Sequence, residues 1–505
     1  MGSSMKNHTG DYNFCGRLLV FSMIMAMALF AASNVNSYGG KMLNVSISGR
    51  PVTYLPSEIE DVTSAKIVHN NLCESLVRYG ERRMVIEPCL AEEWQVEEAG
   101  RIWVFRLKNN VRFHDGSPFS SDDVVRCFSE NQRFTGKVEK LDSYRVRFVL
   151  QDRRSDFNKT ISQATFAIYK LPPEGGILGT GPFKLDVWDP EDRVTLLPFE
   201  DYWGLKPDLD GIVFHCLMDP ETGLARMKRG EIDIVDIVPP SLASEVDAND
   251  NLVLSIQEGV SVSYIFINNS KPPLDSVRFR CAINTLINRE TIIRDVYSGQ
   301  AIECRGLLPP VIGGQQEGPP RFVYQADEAQ RVIKEYLGNN GRTFKMLGLP
   351  CPRPYCPDPN KMARLIAGYL VGAGLKIDYT ATHSMGEYIE NLSTGDYDFI
   401  VSGWALDSCS PNDFYTTIFG LGGVESTFGG VWKSDEFESL ILQARATVSV
   451  KTRMQLYRQA EEEFFGECPF IVLAHPNRLS AHRKGVTGLK FGPTAELRLG
   501  MVSKN

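Results

Sequence analysis

Strand-like and helix-like runs alternate along almost the whole chain, and no internal repeat interrupts them. This alternation limits the fold more than any single motif does. Strands interleaved with helices assemble into α/β layers, with ligands held at strand ends and in clefts between domains. Residues 41–48, KMLNVSIS, have the pattern of a strand. Residues 103–113, WVFRLKNNVRF, alternate and then meet Asn109-Asn110, which predicts a hairpin. Ser120 and Asp123 occupy capping-box positions, so a helix starts within SSDDVVRCFS. Residues 275–299 predict two helices broken near Asn288-Arg289 and closed by a C-terminal glycine. Residues 358–379 read as a helix, a glycine-containing turn and a strand. In residues 451–465, Met454, Tyr457, Ala460 and Phe464 share one helical face, a stripe that marks core. At 505 residues the chain exceeds one compact core and needs two or three domains.

The N-terminus predicts export. Lys6 and Arg17 precede the apolar run of residues 18–30, LLVFSMIMAMALF, and small residues follow in AASN. That is the pattern of a secretory signal peptide, assigned to residues 1–33, and the run is short for a membrane span. Cys15 precedes the run, so it is not the lipid-bearing cysteine of a lipoprotein signal. The expected product is a soluble periplasmic protein. Ten of the eleven cysteines follow the signal, and none forms a CxxC. They are expected to be mostly small buried hydrophobes, with Cys351–Cys356 the candidate disulfide. The net charge of −8 argues against nucleic acid as a partner, because phosphate contacts need a basic face.

Motifs of chemical catalysis are missing from the sequence. It contains no HExxH, GxSxG or GxxxxGK[ST], and the glycine-rich GTGPF (residues 179–183) lacks a P-loop lysine. His69, His114, His215, His383 and His475 have no neighbour at ligand spacing and read as structural. No metal or cofactor is expected, and the chain is not read as an enzyme.

One stretch remains conspicuous: LPCPRPYCPDP, residues 349–359, sets Arg353 among five prolines and two cysteines. Each proline fixes its own φ and pushes the preceding residue towards extended geometry, which makes a stiff loop suited to presenting a side chain. By itself the segment leaves two readings open, an exposed loop arginine or a ligand-binding one.

Several segments, in order, resemble landmarks of the extracytoplasmic solute-binding proteins of ABC importers, in their peptide/nickel class. FHDGSPFSSDDVV (113–125) is similar to the family's FHDGxPxTAxDVV, and residues 179–210 to its GTGPYxLxxW…YWGxKPxLD stretch. LARMKRGEIDIV (224–235), residues 271–301 and residues 456–475 match further blocks. Within the family, residues 353–379 and 386–419 most resemble dipeptide-binding proteins, with their RPYNPN-type and GWxxDxxDPxxFF-type motifs. The resemblance implies that Arg353 pairs with the peptide carboxylate and Asp407 with its amino group. It also implies that the backbone around Ser402, Gly403 and Trp404 lines the peptide main chain, with Trp404 as a pocket wall and Tyr355 assisting.

The physics of a zwitterion fits this assignment. A guanidinium fork takes a carboxylate through two bonds, an aspartate accepts from an ammonium, and enclosing either charge unpaired is costly. The implied fold is α/β: two lobes with mixed sheets, a small extra subdomain and two crossover hinge strands near residues 259–268 and 470–481. Lobe I is expected over 41–262 plus 482–505, with a shortened subdomain at about 55–176, and lobe II over 263–481. The implied partners are a dipeptide or short peptide and membrane permease subunits, with the protein itself a monomer. The alternatives are the same fold binding a nickel chelate, haem or another solute, or a ligand sensor without transport. The sequence departs from the family pattern at Ser410, where the motif has aspartate, and at Cys351 and Cys356.

Overall fold

A computed structural model describes residues 40–80, 85–216, 218–314, 320–338, 342–406, 409–420, 432–491 and 496–505. The predicted signal peptide and Asp407 lie outside the described residues. One sheet of twelve strands runs through both lobes. Its central member is the long strand Phe470–Arg483, whose first half pairs with Ser261–Ile267 and whose second half pairs with Leu252–Glu258. Leu252–Glu258 runs on into Ser261–Ile267 through Gly259 and Val260, so two adjacent strand paths cross from one lobe to the other. These are the two crossovers expected from the sequence.

On the lobe II side Ser261–Ile267 pairs antiparallel with Phe399–Ala405, and Thr343–Leu347 and Lys376–Thr380 complete that flank in parallel. On the lobe I side the order continues through Ile234–Val235, Met42–Ser46, Gly211–His215, Arg193–Pro198 and Phe183–Trp188. A separate sheet of Ala91–Glu97, Ile102–Leu107, Arg145–Leu150 and Gly136–Asp142 forms the small subdomain. Two large apolar cores result. One gathers Val262, Ile265, Phe399, Phe464 and Phe470, and the other gathers Leu43, Phe105, Phe148, Ile212 and Leu497.

Local sequence signals account for most helices. Ser120 and Asp123 form the capping box of Ser121–Glu130, and Asn288 caps Arg289–Tyr297 directly after Val277–Leu286. The helix Val450–Glu467 buries Tyr457, Ala460 and Phe464, with Met454 partly buried against the same core. The predicted hairpin at Asn109-Asn110 does not form. Both edges of Ile102–Leu107 are already taken, by Ala91–Glu97 and Arg145–Leu150, so the following chain leaves the sheet and buries Val111 and Phe113 in the core.

The predicted Cys351–Cys356 disulfide is also absent, and both thiols are free. Cys356 stands opposite Arg353 in a two-residue bridge and is buried in the lobe II core, whereas Cys351 stays partly exposed in the loop, so the two thiols face different surroundings. Among the described residues the disulfide is Cys281–Cys468 instead, with Cα atoms 5.5 Å apart, joining Val277–Leu286 to the end of Val450–Glu467. Seven of the free cysteines are buried, as small hydrophobes are.

The GTGPF glycines serve close packing. A β-carbon on Gly179 would lie 1.8 Å from the Leu72 carbonyl oxygen, and one on Gly181 would lie 2.4 Å from that of Asn71. His114 is clamped there: its Nδ1 accepts the Gly179 N–H at 3.1 Å and its Nε2 faces the Gly181 carbonyl at 3.1 Å. Burial lowers its pKa from 6.5 to about 4, against the opposing pull of the Gly181 carbonyl. Between those values the unfolded chain binds a proton that the folded chain refuses, so stability is full above pH 6.5 and falls as pH drops towards 4. The expected loss is on the order of 3 kcal/mol. Urea midpoints of wild type and His114→Gln across this range check it; parallel profiles for the two proteins would refute the assignment.

Candidate functional site

The Arg353 loop is a tight turn. The Arg353 N–H donates to the Cys356 carbonyl at 3.0 Å, and the Cys356 N–H returns a bond to the Arg353 carbonyl at 2.9 Å. Pro354 and Tyr355 are the two central turn residues, and proline presets the φ required at the first of them. The Tyr297 hydroxyl donates to the Tyr355 carbonyl at 2.8 Å, which pins the tip. Asp358 then accepts the Lys361 N–H at 2.9 Å and Pro359 opens the helix Pro359–Gly372. The prolines therefore divide between shaping the turn and starting the helix. Arg353 is half-buried, and among the described residues its guanidinium makes no hydrogen bond or ion pair.

This turn lies on the strand Phe399–Ala405. A β-carbon on Gly403 would sit 2.4 Å from Cδ2 of Tyr355 and 2.6 Å from the Val262 carbonyl oxygen, so only glycine admits the ring. Gly403→Ala is expected to displace Tyr355 and the Arg353 turn, weakening ligand binding about tenfold or more while the fold persists. Calorimetry beside a thermal melt checks this, and unchanged affinity in the folded variant would contradict it. Burial pushes the Tyr355 phenol up to about 12, with the adjacent Arg353 charge pulling the other way. Ser402 is buried, and the Tyr388 hydroxyl donates to the carbonyl of the adjacent Val401 at 3.2 Å. Trp404 is half-buried against the lobe II core, opposite Val262 on the neighbouring strand.

Thus Arg353, Tyr355, Ser402, Gly403 and Trp404 come from two adjoining elements, and Tyr355 packs directly on Gly403. Asp407 lies outside the described residues, but the chain on either side of it is fixed. Leu406 is buried, its N–H donating to the Val260 carbonyl at 3.2 Å. Cys409 donates its N–H to the Tyr79 hydroxyl at 3.0 Å, and Lys159 Nζ donates to the Cys409 carbonyl at 3.2 Å.

Tyr79 and Lys159 come from lobe I and were not anticipated from the sequence. Neither stands in a recognisable motif, and the contacts join residues 330 and 250 positions apart. Ser410 caps Pro411–Ile418, and its hydroxyl donates to the Asp156 carboxylate of lobe I. A hydroxyl can donate to a carboxylate, whereas an ionised aspartate only accepts. The departure from the motif at Ser410 therefore suits its neighbour.

Tyr79 also lines a cavity of about 260 Å³ in lobe I, with Lys66, His69, Arg133, Ser162 and Glu496. Arg353, Tyr355, Gly403 and Trp404 are not part of its wall. Lys66 forms a buried ion pair with Asp236. Burial alone would raise the Glu496 carboxyl, but Arg498 and His69 outweigh it and hold the group at about 2.

An α/β fold of two lobes, bridged by two strand paths and offering, beside a half-buried strand end, an arginine with no bonding partner among the described residues, defines a binding protein of the periplasmic type. The chain belongs to the bacterial extracellular solute-binding proteins, family 5, whose middle-region profile matches residues 85–426. It is similar to the dipeptide-binding protein of Escherichia coli K12, at 27% identity over 522 residues, 95% of this chain and 97% of that one. Heme-binding protein A of Haemophilus influenzae is 24% identical over 487 residues, 88% of this chain and 89% of the relative. Among solved structures, the dipeptide binding protein from Pseudoalteromonas sp. SM9913 in complex with Met-Leu superposes with a TM-score of 0.78 at 21% identity. It covers 92% of this chain and 100% of that one.

Proposed function

We propose that this protein binds dipeptides or short peptides by their charged termini and delivers them to the permease subunits of an ABC importer. In this reading Arg353 holds the carboxylate and Asp407 the amine. The strand around Ser402, Gly403 and Trp404 runs along the peptide backbone, Trp404 walls a pocket and Tyr355 supports the arginine. The observation that carries it is the half-buried guanidinium of Arg353, held on a locked turn with no bonding partner among the described residues. A cation kept out of bulk water without a partner is costly, and a carboxylate is the partner its fork fits. The dipeptide-binding relatives support the choice of solute.

The role needs no chemical step and no cofactor. It places the protein in the periplasm as a monomer, with no nucleic-acid partner. Its lobes comprise residues 41–262 with 482–505 and residues 263–481, with the small subdomain within 55–176, a division the two separate apolar cores support. The second reading, a haem or metal chelate in the same cleft, has the heme-binding relative in its favour.

A thermal-shift screen of ligand-stripped protein separates the two readings. A ligand at a hundred times its Kd adds about 2.7 kcal/mol of stability. Free dipeptides are expected to raise the melting temperature, with haem and nickel–histidine inactive. A shift with haem or nickel–histidine alone would replace the peptide reading.

A further inference from the structure

Lobe I reaches across to lobe II at a polar patch whose groups bond to one another across the divide. Arg154 Nη2 donates to Asp413 Oδ1 at 2.8 Å, and the Ser410 hydroxyl donates to Asp156. Lys159 Nζ meets the Cys409 carbonyl at 3.2 Å, and the Cys409 N–H meets the Tyr79 hydroxyl at 3.0 Å. Ser155 donates its N–H to the Arg445 carbonyl at 3.3 Å, and Arg453 Nη1 donates to the Ser155 hydroxyl at 2.7 Å. Cys409 and Ser410 are fully buried and Asp156 is 5% exposed, so the bonds of these three are shielded from water, while Arg154 and Asp413 are partly buried at the edge of the patch. The Tyr79 ring itself packs into the lobe II core.

We propose that residues 152–160 and Tyr79 form a solute-independent latch that holds the empty cleft closed over the loop leading into the helix Pro411–Ile418. Every bond in the patch joins protein to protein, so closure gains them whether or not a solute is present. Opening would break all of them together and leave Arg154, Asp156, Lys159 and Asp413 to be rehydrated. The latch thereby sets the closed fraction of the free protein. Apparent affinity scales with that fraction, so the latch tunes the affinity for every solute by one common factor and leaves discrimination to the ligand pocket. Lys159 and Tyr79 act as positioning residues, because they fix both backbone groups of Cys409 without needing to touch the solute. The inference does not depend on which solute the cleft takes.

Small-angle X-ray scattering of the full ligand-stripped protein tests it without any ligand. Arg154→Asp sets a new carboxylate against Asp156 and Asp413, and Asp413→Arg sets a new cation against Arg154 and Lys159. Each single variant is expected to scatter as a more extended particle, its closed-to-open ratio falling about tenfold or more, as a change of 1.4 kcal/mol brings. The double exchange re-forms the pair and is expected to return the wild-type curve. Arg154→Ala, which adds no repulsion, is expected to move the curve in the same direction by a smaller step. Near-ultraviolet circular dichroism identifies any variant that has lost its fold, and the remaining variants then decide. Wild-type scattering from folded Arg154→Asp and Arg154→Ala would overturn the latch, as would a folded double exchange that stays extended.

Discussion

Arg353→Ala is expected to weaken the binding of free dipeptides by about 30-fold to several thousand-fold, the 2–5 kcal/mol that follows when one partner of a buried charge pair is removed. The turn from Arg353 to Cys356 closes on its own backbone bonds, and the tip is held through the Tyr355 carbonyl. The guanidinium contributes to none of these bonds, so the variant is expected to keep the wild-type unfolding midpoint while losing affinity. Arg353→Lys keeps the charge but loses the planar fork, and an intermediate loss is expected. Calorimetry and urea unfolding on the same samples separate the outcomes. Equal losses of affinity and stability would make Arg353 a structural residue, and an unchanged Kd would remove it from the site.

Glu74→Ala is expected to carry the largest cost in stability, about 3–5 kcal/mol. Its buried carboxylate accepts the Thr180 hydroxyl at 3.0 Å, the Tyr202 hydroxyl at 2.8 Å and the Trp203 indole N–H at 2.8 Å. Burial raises its pKa, while the bonds from Trp203, Tyr202 and Thr180 and the charge of Arg78 pull the other way. Truncation strands three donors inside lobe I and frees both the GTGPF loop and the YWG corner. Glu74→Gln retains an acceptor oxygen and is expected to lose less. Urea unfolding of the two variants measures the difference, and a midpoint for Glu74→Ala within error of wild type would contradict this account.

These two residues show what could be read from the sequence and what could not. The stiff turn that carries Arg353 was legible because proline has a fixed local consequence, and turn geometry is decided within four residues. The capped helices Ser121–Glu130 and Arg289–Tyr297 were legible for the same reason. The hairpin at Asn109-Asn110 failed because its first strand is claimed on both edges by strands the local pattern cannot weigh. The family landmarks GTGPF and YWG were legible as text, but not as the donors that satisfy one buried carboxylate at Glu74. Cys281–Cys468 was invisible because 187 residues separate its ends and neither lies in a telling spacing. The bonds of Tyr79, Asp156 and Lys159 to the loop after the GW strand exist only once the two lobes meet.

The central claim is recognition of a short peptide by both its charges. Isothermal calorimetry of the ligand-stripped protein against one dipeptide in free, N-acetylated and C-amidated forms tests it most directly. Tight binding of the free peptide is expected, with each blocked form weakened by about two orders of magnitude or more, matching the removal of one buried charge partner. Amidation should cost Arg353→Ala little further affinity, because the partner of the carboxylate is already gone. Equal binding of all three forms, or no binding of any, would contradict the account and leave the cleft to another class of solute.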